Sequence, residues 1–225
     1  MKWATVRYFS QNPRFRRIVP FCVLLSLLSC GNSLANEELK NDLLEKLNAI
    51  DSFQADFHQR TTARDGTEEE MQEGRVAFLR PEKFLWVVDK PYEEQVSIVG
   101  TRMQVYDPDL QQLTHSQVDP NELSFANLLI DSDTKKLDEF EIYRNESRYV
   151  LSPENDDSQI ALLSIVFKDE TLERIELVDL FGTQIEFEFF NIRLNEDVEN
   201  EVFKLVVPPD TEVIGTGESS HNSES

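Results

Sequence analysis

The sequence predicts a mainly β protein, built on one long antiparallel sheet of ten or eleven strands with two or three helices packed against it. Three observations support this class. Apolar and polar residues alternate through most of the chain, turn sequences recur roughly every eight to twelve residues, and helical periodicity is confined to short segments. With 225 residues, 40% of them hydrophobic, the chain is long enough for one domain with a substantial core.

The first 35 residues have the pattern of a secretory signal peptide. Three arginines within residues 14–17 precede a mostly apolar stretch over residues 18–28, and Ser33 and Ala35 place small residues at the two positions that signal peptidase reads. We therefore predict that residues 1–35 are removed by cleavage after Ala35 and that the protein is exported.

Both cysteines, Cys22 and Cys30, lie in this leader, so the exported domain has no disulfide and depends on its core for stability. Residues 27–30 also partly resemble the site at which bacterial lipoproteins are cut and acylated. A lipid anchor on Cys30 is therefore the alternative to soluble secretion.

The exported chain is strongly acidic. Residues 36–225 carry 17 Lys or Arg residues against 43 Asp or Glu residues, a net charge of −26. Nucleic acid is excluded as a partner because phosphate binding needs a basic surface. The three histidines are scattered and no nucleophile, metal-binding or phosphate-binding motif occurs, so we predict no catalytic residues, no metal and no cofactor.

The exported chain opens with a helix. Asn36 is a candidate N-cap, and apolar residues from Leu39 to Ile50 form one helical stripe. From Phe53 the period changes to two, and residues 64–66 (Arg-Asp-Gly) are typical of a hairpin turn. Further strands are expected at these apolar positions: Val76 and Phe78; Phe84, Trp86 and Val88; Val96 and Ile98; Met103 and Val105; Phe140 and Ile142; Tyr149 and Leu151; Leu163 to Phe167; Leu172 to Leu177; Ile185 to Phe189; Phe203 to Val207.

A second helix interrupts these strands. Asp119 and Glu122 form a capping box ahead of an apolar run over residues 123–130, and the polar segment 131–138 is expected to add a short helical turn. Residues 215–225 lack large apolar side chains and are predicted to form a disordered tail. The two apolar helical segments are the candidates to cover the sheet. The phenylalanine-rich face beneath them is either a solid core or a cavity for an apolar ligand.

Residues 80–86, Arg-Pro-Glu-Lys-Phe-Leu-Trp, resemble the signature of the periplasmic outer-membrane lipoprotein carrier family, LolA. The resemblance extends over residues 39–214 and includes residues 53–59, 106–114 and 179–183. The chain departs from the family pattern at these positions: Val99, Gln104 and Ser124.

The resemblance implies that residues 36–214 form an unclosed antiparallel β-barrel of about eleven strands, covered by two or three helices that serve as a lid over a hydrophobic cavity. Such a protein is a periplasmic, monomeric chaperone for the acyl chains of lipoproteins. It receives them from an inner-membrane ABC-type release complex and delivers them to an outer-membrane receptor lipoprotein. An anchored receptor of the same fold is the alternative if Cys30 is acylated, and a lipid esterase is a more distant one.

The resemblance also implies roles for individual residues. Arg80 is expected to hydrogen-bond the lid and to gate it; the alternative is an arginine at a strand end that reaches water without a role. The candidate cavity-lining residues, which would look the same as ordinary core residues in sequence, are these: Leu47, Phe78, Phe84, Trp86, Phe125, Leu128 and Leu129.

Overall fold

The computed structural model describes residues 30–67, 69–118, 129, 134–154, 158 and 160–215, with side chains from residue 36 onward except at residues 134–136. Its elements are one α-helix, α1 (Cys30–Asn48), two short 3-10 helices (Thr134–Glu139 and Asn200–Phe203) and twelve strands. The strands are β1 (Ser52–Thr62), β2 (Glu69–Leu79), β3 (Lys83–Lys90), β4 (Glu94–Val99), β5 (Arg102–Asp107), β6 (Gln112–Gln117), β7 (Phe140–Asn145), β8 (Arg148–Pro153), β9 (Ile160–Lys168), β10 (Thr171–Asp179), β11 (Gln184–Leu194) and β12 (Glu212–Gly215).

All twelve strands belong to one sheet, in the order β12-β6-β5-β4-β3-β2-β1-β11-β10-β9-β8-β7. The sheet runs between the edge strands β12 and β7 without closing. Neighbouring strands are antiparallel except β12, which pairs parallel to β6. The mainly β prediction is confirmed, but the sheet is mixed rather than wholly antiparallel and has twelve strands rather than about eleven.

The prediction of a last strand over residues 203–207 is wrong. The alternation over residues 203–207 belongs to a short 3-10 helix and an irregular segment, and the final strand comes later, at β12. Phe203 packs against Leu85 and Val87 on the outer face of the sheet, and the Ser97 hydroxyl bonds to the Phe203 carbonyl oxygen. The alternating residues therefore cross the outside of the sheet instead of joining it.

The first helix begins earlier than predicted. It starts at Cys30, so Asn36 lies within it and is not its N-cap. The Asn36 side chain instead bonds β7, accepting from the N–H of Ile142 at 2.8 Å and donating to the carbonyl of Phe140 at 3.5 Å.

The second predicted helix, residues 123–130, lies outside the described residues except for Leu129, which is helical and buried. The helical turn expected within 131–138 is present as the 3-10 helix Thr134–Glu139. The predicted tail lies outside the description beyond Gly215. Neither α1 nor the two 3-10 helices has the length and apolar character needed to span a bilayer.

The core lies between α1 and the inner face of the sheet. It combines residues of α1, such as Leu43 and Leu47, with inward-facing side chains from strands in both halves of the sheet. A smaller cluster around Phe203 covers the outer face of β2 and β3. Alternation explains this division, because Phe84 and Trp86 face inward while the intervening Leu85 faces outward.

Candidate functional site

Aromatic side chains from the central strands form a continuous surface on the inner face. Phe53 stacks on Phe78 with ring centroids 5.3 Å apart, and Phe57 stacks on Trp86 at 3.8 Å. Trp86 meets Phe187 edge to face at 5.3 Å. Stacked and edge-to-face pairs of this kind add to the free energy gained by burying apolar area. The surface is therefore apolar and firmly packed across β1, β2, β3 and β11.

Gly74 makes the packing at Phe57 possible. A Cβ atom at this position would lie 2.0 Å from the carbonyl oxygen of Val87 and 2.8 Å from the Phe57 ring. The register between β2 and β3 shifts at the same point, between Glu73 and Gly74. The missing side chain lets the Phe57 ring lie across the strand and reach Trp86.

The structure brings the predicted lining residues that it describes into this one cluster. Leu47, Phe78, Phe84 and Leu129 are buried in it, and the half-buried Trp86 packs against it. The rings of Phe84 and Trp86 are nearly parallel, with centroids 6.4 Å apart. The two other predicted lining residues, Phe125 and Leu128, lie outside the described residues. Leu47 and Leu129 pack directly against the inner face.

Arg80 follows the end of β2 and reaches the C-terminal end of α1. Its guanidinium donates to the Leu47 carbonyl oxygen and to Oδ1 of Asn48, both at 2.9 Å. Its backbone N–H donates to the carbonyl of Asp51 at 2.9 Å. Carbonyls in the last turn of a helix lack intrahelical partners and carry the negative end of the helix dipole, so a cation is favourable there. Arg80 thus joins β2 to the helix that covers the inner face.

Sequence analysis did not identify the polar contacts that join α1 to β7, to β8 and to the turn between β9 and β10. Asp42 accepts from the buried hydroxyl of Tyr149 on β8 and from the guanidinium of Arg144 on β7, which also lies over the Tyr149 ring. Burial, followed by the hydrogen bond to Asp42, raises the pKa of Tyr149 well above its usual range. Lys46 pairs with Glu170 in the turn between β9 and β10.

Two further residues hold α1 in place, Asn195 at its C-terminal end and Lys40 within the helix. Asn195, just after β11, donates to the Ala49 carbonyl at 2.8 Å and accepts from the N–H of Asp51 at 2.7 Å. Lys40 is buried and bonds Asp138 at 2.9 Å and Glu37 at 3.0 Å. The hydrogen bond that Lys40 donates to Asp138 is the main reason why the pKa of Lys40 lies above its usual value. Together these contacts hold α1 along the inner face.

Three residues depart from the family pattern, and the two that the structure describes lie outside the inner-face cluster. Val99 and Gln104 line a groove of about 450 Å³ on the outer face, beside Phe203. Ser124 lies outside the described residues. Neither of the two described departures therefore lies in the inner-face cluster.

The sequence profile of the outer membrane lipoprotein carrier protein LolA family matches residues 48–206, most of the chain. The chain belongs to this family. The outer-membrane lipoprotein carrier protein of Pseudomonas paraeruginosa is 28% identical over 85% of this chain and 96% of its own length. That of Chromohalobacter salexigens is 30% identical over 76% of this chain and 84% of its own length. A LolA superfamily protein from Nitrosomonas europaea aligns with a TM-score of 0.43 at 16% identity, over 74% of this chain and 97% of that one.

Membership of the LolA family confirms the resemblance seen in the signature around Arg80 and makes this chain a lipoprotein carrier rather than an enzyme. LolA carriers are periplasmic. The inner face beneath α1 is accordingly the candidate site for cargo.

Proposed function

We propose that the protein is a periplasmic chaperone that binds the acyl chains of lipoproteins released from the inner membrane and delivers them to an outer-membrane receptor lipoprotein. The observation that supports this proposal best is the single apolar cluster beneath α1, which gathers side chains from both halves of an unclosed sheet. A sheet that does not close has room to widen around a ligand.

The proposed cargo explains why a carrier needs a loading complex. Burial of acyl chain is worth about 0.8 kcal/mol per methylene, so three chains of roughly fifteen carbons would cost on the order of 36 kcal/mol to leave a bilayer. Few protein sites match this value. An inner-membrane ABC-type release complex would supply the energy of extraction, and delivery would need only a receptor that binds the chains more tightly.

We assign the lining role to Leu47, Phe78, Phe84, Trp86 and Leu129, whose side chains meet in the inner-face cluster. The same role is proposed for two residues outside the description, Phe125 and Leu128. Arg80 is proposed as the gating residue, because its hydrogen bonds to Leu47 and Asn48 hold the end of α1 against β2.

Cargo binding is tested with the purified exported chain and inner-membrane vesicles that present a triacylated lipoprotein in the presence of ATP. We expect a soluble complex with the acylated lipoprotein and none with the same lipoprotein carrying Ser in place of its acylated cysteine. The lining variant Trp86→Asp should lose the complex, and the matched control Tyr92→Asp, at an exposed turn, should keep it. Equal capture of both lipoprotein forms would contradict the proposal.

Two measurements separate the carrier from its alternatives. A naphthalene sulfonate dye should bind the native protein and be displaced by fatty acid, whereas a solid core would bind dye only after denaturation. Mass spectrometry of the exported N-terminus should find Asn36 as the first residue; a lipid on Cys30 would instead indicate an anchored receptor.

A further inference from the structure

The turn between β10 and β11 presents two large apolar side chains to solvent. Leu180 is 59% exposed and Phe181 is 82% exposed. Single exposed apolar residues are common on protein surfaces, but two adjacent ones at a turn tip place a compact apolar feature at the end of a hairpin. The inner-face cluster does not include either residue.

Hydrogen bonds define the backbone of the turn that carries these side chains. Asp179 Oδ1 accepts from the N–H groups of Phe181 and Thr183, both at 2.8 Å, and the Asp179 N–H donates to the Thr183 carbonyl at 3.0 Å. Gly182 has a φ of 87°, which other residues adopt only with strain. The backbone of this turn thus places Phe181 in its exposed position.

A cation lies beside the turn. A Cβ atom on Gly182 would lie 2.9 Å from both Cγ and Cδ of Arg64, so the arginine stem crosses the turn. Two other turns at the same end of the sheet carry exposed apolar side chains, Tyr92 at 73% and Leu110 at 67%. Hairpins β1–β2, β3–β4, β5–β6 and β10–β11 all turn at this end.

We propose that this end of the sheet contacts a lipid bilayer, with Leu180 and Phe181 entering the interface and Arg64 meeting lipid phosphates. Apolar tips on separate turns at one end of the sheet can enter the interface of a bilayer together. Aromatic, aliphatic and basic side chains together are typical of interfacial contacts. This inference concerns a membrane contact of the free protein and does not depend on the proposed cargo.

The surrounding charge defines which bilayer is favoured. Asp65, Glu69 and Glu70 lie near the same end, and the exported chain has a net charge of −26. An anionic surface would attract Arg64 but repel the rest of the protein. We therefore infer a weak, reversible contact with zwitterionic lipid, which suits a protein that must leave the membrane again.

The experiment is flotation of the exported chain, without cargo, with vesicles of phosphatidylcholine and phosphatidylethanolamine. We expect Phe181→Asp to lower the partition coefficient at least tenfold, since it replaces an inserting ring with a charge. The control is Val206→Asp, because Val206 is 87% exposed but lies in the segment after the second 3-10 helix. It should partition like the wild type. At low salt, phosphatidylglycerol vesicles should bind the wild type less than zwitterionic vesicles do.

Three results would overturn the proposal: no detectable binding of the wild type to zwitterionic vesicles, equal loss in the Phe181 and Val206 variants, or preference for phosphatidylglycerol at low salt. Circular dichroism establishes that the variants are folded. Leu180→Ser provides a second, milder variant and should show a smaller loss in the same direction.

Discussion

Replacement of Arg80 by Leu removes the hydrogen bonds that its guanidinium donates to the Leu47 carbonyl oxygen and to Oδ1 of Asn48 at the end of α1. Both bonds are 2.9 Å long, and both come from a charged donor. The matched control is Arg75→Leu on the outer face of β2. Arg75 bonds Asp89 at 2.9 Å, but both side chains of this pair are about half exposed.

The expected loss of stability in each variant depends on how exposed the hydrogen bonds of that arginine are to solvent. A hydrogen bond to a charged group is worth about 1.5–3 kcal/mol when water is excluded. Since the Arg80 side chain is only partly buried, we take about 2 kcal/mol for its two bonds together, discounting for solvent. The exposed Arg75 pair is worth about 0.2–1 kcal/mol. Urea unfolding should therefore separate the two variants by about 1–2 kcal/mol.

The functional consequence is larger for delivery than for loading. If these bonds stabilise the empty state, their loss should shift the balance between empty and loaded protein by about 30-fold toward the loaded state. Arg80→Leu should accept lipoprotein from inner-membrane vesicles but release it slowly to the purified receptor. Arg75→Leu should release it at the wild-type rate. The assay is the fraction of labelled lipoprotein on each protein over time.

Normal release by a folded Arg80→Leu protein would refute this reasoning. It would mean that the two bonds persist unchanged when cargo is bound, and that Arg80 serves only to cap α1. A slow release by both arginine variants would also refute it, since the effect would then follow from the loss of a positive charge.

Three further predictions concern the framework of the site. Gly74→Ala places a Cβ 2.0 Å from the Val87 carbonyl oxygen and should cost about 3 kcal/mol of the free energy of unfolding in urea, with no gain from the added methyl group. Because the pKa of Tyr149 is raised above its ordinary value near 10, its contribution to stability is complete below that pH and declines above it. Tyr149→Phe should remove this loss of stability at alkaline pH, which amounts to at most about 1.4 kcal/mol at pH 11. The test is the urea unfolding midpoint measured against pH. An equally steep decline in the variant and the wild type would contradict the prediction. Lys40→Met should speed amide hydrogen exchange over residues 134–139 about tenfold, because the anchor to Asp138 is lost; unchanged exchange would show that the segment is held by other contacts.

Much of the sheet could be predicted because local patterns specify it. Strict alternation from Phe53 gives β1, and Gly66, with a φ of 69°, occupies the expected hairpin turn. Alternation also assigns Phe84 and Trp86 to one face, as the structure has them. These features depend on neighbours in sequence, so the sequence records them directly.

The errors arise where distant residues decide the structure. The alternation at Phe203 to Val207 fits a strand equally well, and only the outer-face site around Leu85 and Val87 makes it a covering segment. The bond between Asp42 and Tyr149 joins residues 107 positions apart, and neither stands out locally. Asn195 was more accessible to prediction, since an asparagine directly after a strand often adopts the positive φ that it has here.

An unclosed sheet has two borders, each of which offers its backbone as a template for another chain. The β12 border is only four residues long, which limits such templating. At the β7 border, the Asn36 amide occupies the Phe140 carbonyl and the Ile142 N–H. Cleavage after Ala35 would make Asn36 the first residue of the exported chain, and a cut one residue later would remove it. The predicted cleavage site therefore keeps the side chain that bonds both of these backbone groups of the β7 border.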